Sequence, residues 1–329
     1  MQGETVAITG VGGFIGLRLT ERLTAQGARV VGLDQSPEAA RLARERGAEV
    51  LVGGVNDNEA LRRLCAGASW VIHAAAVVAE QGPRDLFWRV NVEGTRQVAQ
   101  AARDAGVHRF LQVSSVMVYG FRFPNQVRED GPLRGEGNPY CETKIESERV
   151  ACSFDDPAGM RVVLARPGDV YGPRSVPWVL RPLALMKQGI FVLPGGGKGR
   201  INHVHVDNLI DGMVLCLERG EGGRAYNLTD GVSEEVGAYF LRLARLLGLS
   251  RVRSMPASVL RGAFGAVARV AAWLGREPPA YPDAVDYLLR PGTYSIEAAR
   301  ALGYRPRVGL DEGMEEVRRW LEAEGLLDR

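Results

Sequence analysis

Tyr140 and Lys144 stand four residues apart in the run Tyr140-Cys141-Glu142-Thr143-Lys144. On a helix, positions i and i+4 share one face, so the phenol and the ammonium lie side by side. A neighbouring cation favours the phenolate and draws the tyrosine pKa down toward working pH, which suits a general acid/base. Lysine is otherwise present only at Lys187 and Lys198, which makes Lys144 conspicuous. Two hydroxyls, Ser114 and Ser115, fall in the run Gln112–Gly120, at the end of a predicted strand. In open α/β folds ligands bind at that carboxyl edge, where either hydroxyl can hold the reacting oxygen of a substrate.

A second group of residues could hold a dinucleotide. Thr9-Gly10-Val11-Gly12-Gly13-Phe14-Ile15-Gly16 follows a predicted strand and opens a predicted helix. Glycine lets the backbone turn tightly and approach a pyrophosphate, which then sits on the free N–H groups of the helix start. Asp34 stands directly at the end of the second predicted strand, 24 positions after Gly10. A carboxylate there accepts hydrogen bonds from a ribose diol and repels a 2′-phosphate, favouring NAD over NADP.

These residues require a scaffold of alternating strands and helices. Strands are predicted at Val6–Thr9, Ala28–Leu33, Glu49–Val52, Trp70–His73, Phe110–Ser114 and Arg161–Ala165, with helices at Gly13–Gln26, Glu38–Arg46, Asp85–Ala105 and Tyr140–Cys152. That alternation predicts an α/β fold, a Rossmann-type doubly wound parallel sheet. Beyond Arg166 prolines interrupt the pattern. Regular structure resumes with a strand at His203–Val206, a helix at 207–218, a strand near Ala225–Leu228 and a helix capped by Ser233. Further helices are expected around 257–274, 296–301 and 311–324. The predicted organisation is an NAD-binding domain of residues 1–172 and 200–228, with a smaller, discontinuous α/β substrate-binding region of residues 173–199 and 229–329.

Composition narrows the class. A chain of 329 residues with 46% hydrophobic and 24% charged residues is an ordinary globular protein. A net charge of +2 gives no electrostatic case for nucleic acid or an anionic membrane. Cys65, Cys141, Cys152 and Cys216 form no C-x-x-C pair and read as free thiols of a reducing compartment. The four histidines show no H-E-x-x-H spacing, so no metal site is expected. The first residues lead into a strand without a signal-peptide pattern, and the cytoplasm is the expected compartment. No transmembrane segment is expected, because Arg261 and Arg269 break the most apolar stretch, Val259–Leu274.

Taken in order along the chain, the motifs resemble the extended branch of the short-chain dehydrogenase/reductase superfamily, the epimerase/dehydratase family. They are the glycine run, Val71-Ile72-His73-Ala74-Ala75-Ala76, N-V-x-G-T from Asn91, S-S-x-x-V-Y-G, Y-x-x-x-K, Arg166–Pro173, His205-Val206-Asp207-Asn208 and Leu302–Pro306. The resemblance implies an NAD-dependent enzyme with Tyr140 as proton donor and acceptor. Lys144 would bind the nicotinamide ribose and tune the tyrosine, and Ser115, five places before the glycine of V-Y-G, would be the substrate-oxygen partner. It further implies cofactor contacts from Gly10, Gly13, Phe14, Ile15, Gly16, Asp34, Val55, Ala74, Ala75, Ala76, Val113, Tyr140, Lys144 and Pro167. Asn91 joins this set as structural support, and a homodimer acting on a small molecule is implied.

Departures from the family pattern bear on the substrate. Gly54 stands where many members carry an aspartate for adenine. Val116 and Met117 replace the acids that dehydratases place after the catalytic hydroxyl. Ile201 occupies the position of a diphosphate-clamping arginine, with Arg200 one place off, and Asp169 replaces an asparagine. A carboxylate there is expected to repel a diphosphate. The run Pro278–Pro282 and the tail Tyr294–Arg300 are more similar to the 3β-hydroxysteroid and sterol dehydrogenase-like members. The leading expectation is therefore an alcohol/ketone oxidoreductase acting on a hydrophobic, sterol-like compound. A nucleotide-sugar 4-epimerase is second, and a non-catalytic dinucleotide sensor, which would usually lack the tyrosine or lysine, is third. Asp34 predicts tighter binding of NAD(H) than of NADP(H), and Asp34→Ala is expected to narrow the gap. Fluorescence titration of both cofactors checks this, and equal or better NADP(H) affinity in the unaltered protein would contradict it.

Overall fold

The computed structural model describes all residues except 80–81, 275, 277–280 and 328–329. Pro278, Pro279 and Ala280 of the proline-rich run therefore lie outside the described residues. The first part of the chain runs β1 (Thr5–Thr9), α1 (Phe14–Ala25), β2 (Arg29–Asp34), α2 (Pro37–Arg44), β3 (Glu49–Val52), α3 (Asn58–Cys65) and β4 (Trp70–His73). It continues through α4 (Arg84–Phe87), a π-helical turn (Trp88–Glu93), α5 (Gly94–Asp104), β5 (Arg109–Val113), α6 (Pro139–Cys152), β6 (Arg161–Pro167) and β7 (Asp169–Tyr171). Six of these strands and Ala225–Leu228 form one parallel sheet in the order Ala225–Leu228, β6, β5, β4, β1, β2, β3. The order reverses between β1 and β4, and the crevice beyond their carboxyl ends is where such sheets bind ligands.

Helices cover both faces, so the strands are apolar throughout rather than alternating. In β1, Val6 and Ile8 join a core with Leu19, Leu23, Ile72, Leu111 and Met213, while Ala7 joins Val31, Leu61, Val71, Val98 and Phe110 on the other face. A third apolar cluster gathers Tyr171, Leu183, Ile201, Tyr239, Leu243 and Val317. It involves the helices Arg181–Lys187, Val236–Arg245 and Leu310–Ala323.

Two predicted elements differ, and one strand was not predicted. The expected helix Asp85–Ala105 is interrupted by the π turn, which contains Asn91. The helix expected from Ser233 begins at Val236, without a side-chain cap, because Glu234 and Glu235 pair antiparallel with Arg200 and Ile201 and keep the backbone extended. The sequence reading lacked β7, which pairs parallel with His203–His205.

A buried relay ties the carboxyl ends of β1 and β4 together. Thr9 Oγ1 lies 2.6 Å from His73 Nδ1, and Thr95 Oγ1 lies 3.1 Å from His73 Nε2. The Thr95 hydroxyl donates to the Asn91 carbonyl at 2.6 Å, so its oxygen accepts from Nε2–H, leaving Nδ1 to accept from Thr9. Thr9 Oγ1 in turn accepts from the Ala75 N–H at 3.3 Å. The direction of every bond requires a neutral imidazole. Burial, aided by the Lys144 charge, pushes His73 down to about 3. A folded pKa below the unfolded value means that this stability is complete above the unfolded pKa of about 6.5. It is lost as pH falls from there toward 3, by up to about 1.4 kcal/mol per pH unit. His73 is accordingly expected to keep neutral-imidazole ¹⁵N shifts at mildly acidic pH while the protein remains folded, and a protonated ring there would contradict the relay.

Candidate active site

The glycine loop is shaped by steric necessity. Gly10 has φ of +69°, and a Cβ on it would lie 2.9 Å from the Ala75 backbone. A Cβ on Gly16 would lie 2.2 Å from the Gly10 carbonyl oxygen, and that carbonyl accepts the Gly13 N–H at 3.1 Å. Gly13 is the N-cap of α1, with no side-chain cap and no acidic residue in the first turn, which begins with Phe14 and Ile15. The helix start therefore offers N–H groups to an anion with no carboxylate competing. These features fit a pyrophosphate.

Asp34 closes the other side of the loop. Its Oδ2 accepts the Gly12 N–H and its Oδ1 the Ser36 N–H, each at 3.0 Å. Lone pairs remain on both oxygens for a diol. The Gly53 N–H donates to the Asp34 carbonyl at 2.9 Å, and Val55 is buried against Gly94, where a Cβ would lie 2.6 Å from Val55 Cγ2. Ala74, Ala75 and Ala76 follow β4, with the Ala74 N–H donating to the Thr9 carbonyl at 3.2 Å. The amide of Asn91 is fully engaged. Its Oδ1 accepts the Val77 N–H at 2.8 Å, and its Nδ2 donates to the Val77 carbonyl at 3.2 Å and to Thr143 Oγ1 at 3.1 Å. Asn91 thus holds the loop after β4 against α6.

Two elements bring Ser115, Tyr140 and Lys144 together. Asn138 caps α6, its side-chain oxygen accepting from Tyr140 N–H at 3.0 Å and Cys141 N–H at 3.1 Å, with Pro139 as first helical residue. Sequence reasoning missed Asn138, although Asn-Pro ahead of a helix is a readable start signal. Lys144 is buried, and its Nζ donates to the carbonyl of Val113, the last residue of β5, at 2.9 Å. It also lies 5.9 Å from the centre of the Tyr140 ring. Ser115 is two residues beyond Val113 and caps the 3-10 turn Val116–Tyr119, accepting the Met117 N–H at 3.1 Å. Ser114 is buried, and its hydroxyl has no partner among the described residues. Pro167 ends β6, two places beyond Ala165, whose carbonyl accepts the Ser114 N–H at 2.7 Å. Further along α6, Glu148 pairs with Arg166 of β6 at 2.7 Å, both side chains buried.

The electrostatics depart from the expected lowering of the tyrosine. Burial pushes the Tyr140 hydroxyl up to about 12, with hydrogen bonding from Ser115 pulling the other way. Burial pulls the Lys144 ammonium down to about 8, and the Glu148 carboxylate opposes that. Burial is the largest influence on the phenol and sets the direction of its shift. Tyr140 is therefore a protonated acid at neutral pH.

On the substrate side, the expected bare carboxylate at Asp169 is corrected. Arg290 Nη2 meets both Asp169 oxygens, at 3.1 and 3.2 Å, with both side chains buried. The Tyr287 hydroxyl also donates to Asp169, and the Asn202 N–H does so at 2.8 Å. The guanidinium stacks 3.6 Å over the Tyr287 ring and reaches the Tyr294 hydroxyl at 3.2 Å and Met117 Sδ at 3.9 Å. Asp169 thus presents no free charge, and Arg290 no free cation. The side chains of His205, Asp207 and Glu316 approach within 4.8 Å, but both Asp207 oxygens accept from Arg18 at 2.7 Å. A cavity of 310 Å³ lined by Met186, Phe191, Leu249 and Arg251 includes none of the three candidate catalytic residues, so volume alone does not locate the chemistry.

Comparison with known proteins accords with this geometry. Residues 6–229 match the NAD dependent epimerase/dehydratase family. The chain is 32% identical over 319 residues to the 4-hydroxy-2-methyl-3-oxo-4-farnesyl-3,4-dihydroquinoline-1-oxide ketoreductase of Stigmatella aurantiaca, covering 94% of this chain and 95% of that protein. It is 28% identical over 333 residues to the 3-beta-hydroxysteroid dehydrogenase of Mycolicibacterium neoaurum, covering 94% and 89%. Among solved structures it is similar to DesIV, a dTDP-glucose 4,6-dehydratase of Streptomyces venezuelae with NAD bound. The TM-score is 0.78 at 26% identity, over 97% of each chain.

Proposed function

This chain belongs to the NAD-dependent epimerase/dehydratase family, with NAD as its cofactor, and on that premise we propose that it interconverts a secondary alcohol and a ketone on a hydrophobic, sterol-like or isoprenoid compound. When bound, the cofactor would supply the hydride as NADH on reduction or accept it as NAD⁺ on oxidation. Ser115 holds the substrate oxygen, and Tyr140 gives that oxygen its proton on reduction or takes it on oxidation. Lys144 binds the nicotinamide ribose and lowers the cost of the phenolate that Tyr140 becomes on giving up its proton. The cofactor is held by the loop Gly10, Gly13, Phe14, Ile15 and Gly16, by Asp34 at the ribose, and by Val55, Ala74, Ala75, Ala76, Val113 and Pro167 along the sheet edge, with Asn91 fixing the loop after β4.

The observation that carries the substrate reading is the closure of Arg290 on Asp169. Away from a helix start such as that of the glycine loop, enclosing a diphosphate relies on cations in direct contact, since leaving such charge poorly solvated is costly. Ile201, at the expected clamp position, is buried and apolar, and Arg290 is committed. The farnesyl-substrate ketoreductase and the hydroxysteroid dehydrogenase among the relatives point the same way. A nucleotide-sugar 4-epimerase is the second reading, favoured by Arg200, whose guanidinium has no ion pair among the described residues. A non-catalytic sensor ranks below both, because Tyr140, Lys144 and Ser115 are all retained.

A thermal-shift panel with NAD present separates these readings. Sterols and isoprenoid or alkyl hydroxy and keto compounds are expected to raise the melting temperature, and UDP- and dTDP-sugars to leave it unmoved. Strong stabilisation by a nucleotide sugar, with turnover to its 4-epimer, would replace the proposal by the epimerase reading.

A further inference from the structure

The helix Ala257–Trp273 carries apolar residues on its outer face as well as its inner one. Inward, Leu260 and Ala271 are buried, and Arg261 pairs with Asp286 of the neighbouring helix Pro282–Leu288 at 2.7 Å. Outward, Val259, Ala263, Val267, Val270 and Leu274 succeed one another at steps of three or four and so share one face. Val270 is 57% exposed, Leu274 54% and the indole of Trp273 84%. Single exposed apolar residues are ordinary, but a continuous stripe ending in an open tryptophan marks a surface that something covers.

The charge around the stripe indicates what covers it. From Ser250 to Arg276 the sequence holds five arginines, at 251, 253, 261, 269 and 276, and no carboxylate. Arg269 is exposed along one edge of the stripe. The net charge of +2 for the whole chain conceals this local concentration.

We propose that this helix docks the protein on an anionic phospholipid surface. It lies in the interfacial plane with the Val259–Leu274 face among the acyl chains and the arginines other than Arg261, which is paired with Asp286, against lipid phosphates. No described helix is long and apolar enough to cross a membrane, so the helix rests on the bilayer rather than spanning it. A second copy of the chain is a poorer occupant. A two-fold contact through this segment would set arginines against arginines with no carboxylate of the segment between them. The inference rests on this surface alone and stands whatever the substrate is.

Co-sedimentation of the full chain with vesicles tests it. Binding is expected with phosphatidylcholine vesicles containing phosphatidylglycerol, and roughly tenfold weaker binding with phosphatidylcholine alone or in high salt. Val270→Glu and Trp273→Ala, both at exposed positions, are expected to reduce binding to the mixed vesicles by a similar factor. Unchanged NADH affinity in these variants shows that they remain folded. Failure to bind the mixed vesicles would overturn the proposal, as would undiminished binding by folded variants. A wild-type dimer that Val270→Glu dissociates would overturn it too, by assigning the face to a second copy.

Discussion

An ammonium group buried away from water is costly unless an acceptor takes its protons, and Lys144 finds one in the Val113 carbonyl at 2.9 Å. That bond fixes α6 to the end of β5. It also sets the rest of the site, because Tyr140 is one helical turn before Lys144 and Ser115 two residues beyond Val113. The helix is held at both ends, by the Asn138 cap at its start and by the buried Glu148–Arg166 pair further along. Hydroxyl, phenol and ammonium therefore converge without any of the three being on a free loop. The same burial that lowers Lys144 to about 8 raises Tyr140 to about 12, so the phenol keeps its proton at neutral pH.

Two further buried networks define what lies on either side. Toward the nucleotide, the chain from Ala75 through Thr9, His73 and Thr95 to Asn91 fixes the edges of β1 and β4 against the π turn, and the glycine loop packs onto it with no room for a side chain at Gly10 or Gly16. Toward the substrate, Asp169, Arg290, Tyr287 and Tyr294 satisfy one another. A cation so enclosed strengthens the wall of the site but has little left to offer a ligand. The first network suits a dinucleotide, and the second leaves the substrate side short of cations.

Much of this was legible in the sequence, for identifiable reasons. Parallel strands covered on both faces read as apolar runs, so six strands of the sheet were located to within two residues at each end. The glycines were legible because their positions admit no side chain, and Tyr140 and Lys144 because helical spacing alone puts them on one face. What escaped depends on contacts distant along the chain. Asp169 and Arg290 are 121 positions apart, and nothing local announces that one neutralises the other. The π turn at Asn91 adds no unusual residue to a helical pattern. The raised Tyr140 reflects how deeply the site is buried, which an i, i+4 spacing does not record. Net charge proved equally blind to the arginine-only stretch between residues 250 and 276.

Tyr140 is proposed to perform the proton transfer that accompanies reduction of a hydrophobic ketone, and its hydroxyl is the only group that Tyr140→Phe removes. The direct measurement is the rate of NADH oxidation by such a ketone, set beside NADH affinity, for the wild type and for Tyr140→Phe. The variant is expected to bind NADH nearly as the wild type does and to lose about 10²–10⁴-fold in turnover, the span typical of a lost general acid. A Tyr140→Phe protein that turns over at the wild-type rate would contradict it.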